Sequence, residues 1–363
     1  MLMKSFTEIV FEHPEILDNF LFGNGFSQSF HSAFKYKSLY DNVKNNLEAA
    51  DRRLFEDVLD TTNFEMVLNR ILNTQDVNKA YGLCSNHLDQ SYQNIKMHLI
   101  HSVNKSHPCY EEIATSIDRL AWSFGIFKHN IFTTNYDLLT YWGLIELWKN
   151  DRKVSDGFLK KNERLIFDHE NFKSNDLKFY YLHGALHFFE EHGKIVKTKP
   201  NEKNLLESVT KQFEDGKFPL YVSEGSTEKK TEQIHSNYYL LICFIKLLDI
   251  SNGLTIFGHD LNEKYDQHLL EILNGSDKLK YIAYGIYPTE EYTYRDIENR
   301  IERLFRHSNK TLLFFDSRTF FDSVKEIANE GLHWMKNPGD FPHNETLGYF
   351  DHSLLYKKAS PSQ

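Results

Sequence analysis

A chain of 363 residues with 40% hydrophobic and 15% aromatic content can fill a sizeable core, which excludes global disorder. The length allows one large α/β domain with an insertion, or two domains. A net charge of −9 and a pI near 6.1 exclude a generic electrostatic grip on nucleic acid, which needs a clustered excess of Lys and Arg. The basic runs are only pairs, Arg52-Arg53, Lys160-Lys161, Lys229-Lys230 and Lys357-Lys358, and read as solvated surface. Cys84, Cys109 and Cys243 are odd in number and lack CxxC spacing, so neither a disulfide framework nor a cysteine zinc site is expected. Met1 to Glu12 contains no signal-peptide core, and no apolar run approaches the roughly 20 residues of a membrane span. A cytoplasmic protein without membrane association is the expectation.

The first strand, Phe20-Leu21-Phe22, runs into a turn, Gly23-Asn24-Gly25-Phe26-Ser27, that should open a helix. From 38 to 128 strand signals are scarce. Apolar residues at Phe55, Val58, Leu59, Phe64, Val67, Leu68, Ile71 and Leu72 follow helical spacing, with Thr61-Thr62-Asn63 as a cap. A second strand, 130–133, ends in Thr134-Asn135-Tyr136-Asp137 and leads into a helix over 138–150. The polar stretch 151–176 reads as loops or a short hairpin near Asp156-Gly157.

A third strand of large aromatics, 178–182, meets His183-Gly184, and the charged stretch 190–217 then reads as irregular. A short strand over 218–222 enters Ser223-Glu224-Gly225-Ser226. One long helix is predicted over 228–249, from apolar residues at Ile234, Tyr238, Leu241, Ile242, Ile245 and Leu248. The fourth strand, 254–257, ends in Gly258-His259-Asp260. A helix over 265–273, strands over 280–287 and 311–316, and a helix over 289–307 complete the pattern. This alternation predicts an α/β fold, a doubly wound, mostly parallel Rossmann-like sheet with a large helical insertion. The core would comprise 1–37 and 129–335, the insertion 38–128, and a loosely packed tail 336–363.

In an open parallel sheet the carboxyl ends of the strands open on one side, so these four ends should meet at one crevice. The glycines of the first turn would let the backbone approach a phosphate closely, although a structural turn has the same spacing and the third glycine of a GxGxxG dehydrogenase fingerprint is missing. Asn135 and Asp137, at i and i+2 after a strand, put two polar groups on the crevice rim, although the same spacing also suits a helix cap. His183 would sit partly buried beside a glycine that leaves room for a ligand, although a lone histidine after a strand is more often structural than catalytic. His187 lacks the further ligands a metal needs. Asp266 and His268 fall in a helix where exposure is the default.

Taken in order, the glycine turn, TTNYD, LHG and the late GHDL turn resemble the sirtuin-like NAD-consuming fold over residues 18–290. The similarity is to its divergent bacterial branch, which includes NAD hydrolases of anti-phage defence. The resemblance implies that Gly23, Asn24, Gly25, Phe26 and Ser27 cradle the diphosphate of NAD+. It implies that Asn135 holds the nicotinamide ribose and the attacking water, and that Asp137 orients the nicotinamide end or the loop around it. His183 would be base or orienting group at the ribose hydroxyls, able to accept a proton near neutral pH. Thr134 and Gly184 would line the same site, with Gly258 and His259 by the adenosine half. Thr134 stands where sirtuins carry Gln, and the four zinc cysteines and the acidic-arginine loop are absent, so hydrolysis rather than deacylation is implied. The implied protein is a metal-free NAD+ glycohydrolase, a regulated NAD-depleting effector controlled by homo-oligomerisation or by a partner such as an ATPase. The competing reading is a module that senses NAD or an ADP-ribose-type nucleotide without cleaving it; a third, ADP-ribosyl transfer to a protein or nucleic acid, needs an acceptor site that the sequence does not show.

Overall fold

The computed structural model describes residues 3–35, 39–62, 64–173, 176–199, 205–222 and 227–331. Residues 223–226, the cap expected at Asn63 and the tail expected over 336–363 lie outside them. In chain order the strands are β1 (Asn19–Phe22), β2 (Asn130–Thr133), β3 (Val154–Ser155), β4 (Phe158–Lys161), β5 (Arg164–Phe167) and β6 (Leu177–Tyr181). They continue with β7 (Gly184–Glu191), β8 (Lys194–Lys197), β9 (Pro219–Tyr221), β10 (Asn252–Phe257), β11 (Leu279–Ile286) and β12 (Thr311–Asp316).

Seven strands form a parallel sheet in the order β12-β11-β10-β1-β2-β6-β3. It is a Rossmann-like α/β sheet. Helices cover both faces of such a sheet, so its strands should be apolar throughout rather than alternating. Accordingly, all four residues of β1 are buried. Phe20 stacks on Phe127 with ring centroids 4.4 Å apart, and Phe22 stacks on Phe124 of the Ile117–Gly125 helix. Phe257 packs on Phe320 of the Phe320–Gly331 helix, with ring centroids 4.3 Å apart. The registers pair Phe22 with both Thr133 and Phe257, and Thr133 with Tyr181. The four turns singled out in the sequence therefore begin at one level. From β1 the chain winds towards β2 and β6, and later returns to β10 and winds the other way. The β1/β10 boundary is the switch point where such sheets bind ligands.

The predicted helices within 38–128 include Phe64–Ala80, Asn86–Ser106 and Ile117–Gly125. Three expectations are corrected. The 151–176 stretch holds a hairpin, β4–β5, but its turn is Asn162-Glu163 rather than Asp156-Gly157. Both turn residues take positive φ, 48° and 62°, the conformation that two-residue hairpin turns need. The charged 190–217 stretch is not irregular. It carries the end of β7, all of β8 and the Leu205–Glu214 helix, and it completes an antiparallel sheet ordered β4-β5-β8-β7-β9. The six residues of β7 that follow His183 are all buried, so no polar alternation marks this strand. The single long helix over 228–249 is two helices, Thr227–Ser236 and Tyr238–Leu248, broken at Asn237. The Asn237 side-chain oxygen accepts from the Tyr239 and Leu240 N–H groups, a cap that competes with helix continuation. Among the described residues no helix is long and apolar enough to cross a membrane.

Candidate active site

The first and last glycine turns interlock. Gly23 N–H donates to the Phe257 carbonyl (3.2 Å) and Gly25 N–H to that of Gly258 (2.9 Å). A Cβ on Gly25 would lie 2.8 Å from Gly258 Cα, and one on Gly258, whose φ is +62°, would collide with Phe26 N. These glycines are thus required by backbone-to-backbone packing at the switch point, before any ligand is considered.

Behind the turn runs a chain of buried hydrogen bonds. The Asn135 amide nitrogen donates to the Gly23 carbonyl (3.1 Å) and to Ser27 Oγ (2.8 Å). A carbonyl can only accept, so the amide orientation is fixed, and Asn135 Oδ1 is the polar atom left for a ligand. Ser27 Oγ donates in turn to Asp137 Oδ2 (2.7 Å), and Asp137 Oδ1 accepts from Leu139 N–H at the start of the 139–149 helix (2.9 Å). Burial raises the Asp137 pKa to about 6, against the opposing pull of these hydrogen bonds from Ser27, Leu139 and Thr140. Asp137 therefore serves as a helix cap and as an anchor for Asn135.

His183 follows β6 and is buried, its Nε2 3.1 Å from Nε2 of His268. Burial, then His268, Lys230 and His259, push its pKa well below the usual imidazole range. His183, expected to accept a proton near neutral pH, is thus a weak base that stays neutral there, because charging it would place a second buried cation near Lys230. His268 is pushed down to about 4, mainly by burial and then by Lys230. Lys230, expected on the solvated surface, is 8% exposed. Its ammonium donates to the Tyr265 carbonyl (3.0 Å) and lies 3.6 Å from Asp266 Oδ1.

These groups surround a cavity of about 860 Å³, within the range of small-molecule sites, about 300–1,000 Å³. Gly23, Asn24, Gly25, Thr134, Asn135, Asp137, His183, Gly258 and His259 all line it. Phe26, Ser27 and Gly184 do not. Phe26 packs into the aromatic core against Phe22 and Phe124. Ser27 is fully buried and spends its hydroxyl on Asn135 and Asp137, so it cannot meet a diphosphate. Gly184, with φ +73°, has the Leu220 carbonyl where its Cβ would be. The space beside it is filled by the β7–β9 pairing rather than left for a ligand.

The cavity also takes in Tyr40, Glu56 and Asp60 from the 38–128 segment, and Lys230 and Asp266 from either side of β10. Sequence reading missed all of these. Helical spacing held one clue, since Lys230 lies four residues from the buried Ile234 and so shares its inward face. Nothing local marks Glu56 or Asp60, which only tertiary packing brings across the cavity. His187 is fully buried between the Tyr141 and Tyr181 rings. Among the described residues no group of three or more His, Cys, Asp or Glu could hold a metal ion.

The fold and the site define an α/β protein with a ligand-sized cavity at the switch point of a Rossmann-like sheet. Residues 20–323 match a family described as a domain of unknown function (DUF4917), and the chain belongs to that family. No curated protein matches it.

Proposed function

We propose that the protein is an NAD+ glycohydrolase that releases nicotinamide and ADP-ribose, working as a regulated NAD-depleting effector in the bacterial cytoplasm. One observation carries the reading: Asn135 and His183, from neighbouring parallel strands, open with both glycine turns on one cavity at the switch point. In the reaction the C1′–N bond breaks and its electron pair goes to the pyridine nitrogen, so nicotinamide leaves neutral and needs no strong acid. Water adds to the oxocarbenium-like C1′ and releases a proton to solvent. Asn135 Oδ1 accepts a hydrogen bond from that water or from the ribose, and its fixed amide supplies orientation without rearrangement. Neutral His183 orients the ribose hydroxyls. Carboxylates in the wall, Glu56 and Asp60 among them, favour the cationic nicotinamide ribose, while Lys230 suits the diphosphate.

The test is incubation of purified protein with NAD+ at several protein concentrations, followed by product analysis. Nicotinamide and ADP-ribose should appear in equal amounts, and Asn135→Ala and His183→Ala should each lose at least about tenfold in rate. Full turnover by both variants, folded, would refute the assignment. An unregulated NAD hydrolase would drain its own cell, so control by homo-oligomerisation or by a protein partner such as an ATPase belongs to the proposal. Rates per molecule should then rise with concentration or with partner. A second reading, a sensor of NAD or an ADP-ribose-type nucleotide, is favoured by the low basicity of His183. Calorimetric binding of NAD+ with no product after long incubation would select it.

A further inference from the structure

His268 lies in the Gln267–Gly275 helix, where a sequence reading places a surface residue, yet it is 5% exposed and in contact with His183. Two imidazole Nε2 atoms 3.1 Å apart make one N–H···N hydrogen bond, so one ring must donate and the other accept. Two arrangements satisfy this. If His183 donates, His268 carries its own proton on Nδ1. That nitrogen is buried and has no partner among the described residues, so an N–H would be orphaned. If His268 donates, its Nδ1 is a bare lone pair, and the proton of His183 sits on Nδ1. An orphaned buried N–H is the rarer and costlier defect, whereas an under-used acceptor is better tolerated.

The surroundings favour the same choice. Phe244 packs on the His268 ring with centroids 5.7 Å apart and offers no acceptor edge. The charged and titratable groups that bear on the pair are Lys230 from the 227–236 helix, and His259 and Asp266 from the segment after β10. Lys230 disfavours a second, charging proton on either ring, and it is itself paired with Asp266.

We propose that His268 is a positioning residue whose Nε2–H donates to Nε2 of His183, fixing His183, which lines the cavity, as a hydrogen-bond donor through Nδ1–H. The partner for that donor is an oxygen acceptor on the ligand. The link to catalysis rests on the NAD+ reading above, where the acceptor is a ribose oxygen. It makes His183 a group that orients by donation and takes up no proton.

The proton placement is tested without substrate, by long-range ¹H–¹⁵N correlation NMR on the full chain labelled at histidine, with His183 and His268 assigned from the His183→Gln and His268→Gln spectra. The expected result is His183 protonated on Nδ1 and His268 on Nε2. A proton on Nε2 of His183 overturns the proposal, whatever NAD+ does. Kinetics supply the second readout. His268→Phe keeps the ring bulk and removes the donor, and should lower kcat about 10- to 100-fold with a smaller change in KM, the usual scale for a residue that orients a primary group. His268→Gln keeps an N–H donor and should recover most of that loss. A merely structural aromatic site predicts the reverse order, Phe better than Gln, and that order would overturn the proposal. Absence of any NAD+ turnover would instead count against the glycohydrolase reading, and the NMR result would still decide the proton placement.

Discussion

Asp137→Asn probes the anchor beneath the cavity. Wild-type Asp137 has a folded pKa of about 6 against an ordinary value of 3.8, caused chiefly by burial. A carboxyl whose pKa is raised by folding binds its proton more tightly in the native state, so its contribution favours folding at low pH. That contribution is lost as pH rises from the unfolded to the folded pKa. A shift of about two units corresponds to about 3 kcal/mol, of which about 2 kcal/mol falls between about pH 4.5 and about pH 7.5. The asparagine variant is isosteric, keeps an oxygen for the Leu139 N–H, and carries no charge to bury. Guanidinium unfolding of both proteins across that range should therefore show the variant gaining about 2 kcal/mol relative to wild type as pH increases. Parallel stability curves, differing by less than about 0.5 kcal/mol over the range, would show that Asp137 does not titrate as a buried acid. A gap that widens as pH falls would refute the sign of the argument.

The switch-point packing and the cavity charge yield two further tests. Gly258→Ala should cost at least about 2 kcal/mol, because strain at positive φ adds to collision with the Phe26 backbone. Gly82→Ala, at φ +68° with nothing within 4 Å, isolates the strain at about 1 kcal/mol. Equal losses in urea unfolding would dismiss the interlock. Lys230→Gln removes the one Lys or Arg lining the cavity among the described residues, and should weaken ADP-ribose binding about 10- to 100-fold by calorimetry. Unchanged affinity would place the diphosphate elsewhere.

The four principal strands were legible because each is a short, largely apolar and buried run that leads within two residues into a glycine or a polar residue: Gly23, Asn135, His183 and Gly258. The same local grammar failed for the second sheet. There β4 and β5 carry the exposed Lys160, Lys161 and Arg164, and β7 is buried over its first six residues without alternation, so none shows the period-two signature. The break at Asn237 was hidden because its flanks, Ile234 to Leu248, keep helical spacing across the cap.

Sequence order and residue type alone determined that polar turns would follow four parallel strands, since strand direction and hydrophobic run length are local properties. Tertiary structure decided which side chains face the ligand space. It withdrew Phe26, Ser27 and Gly184 into packing and hydrogen bonds, and it brought Lys230, Glu56, Asp60 and His268 to or just behind the cavity wall. Such choices depend on contacts between residues far apart in the chain, Ser27 with Asp137 and His183 with His268, and on the burial those contacts create. Burial sets both the orientation and the protonation of each group, and no window of neighbouring residues contains it.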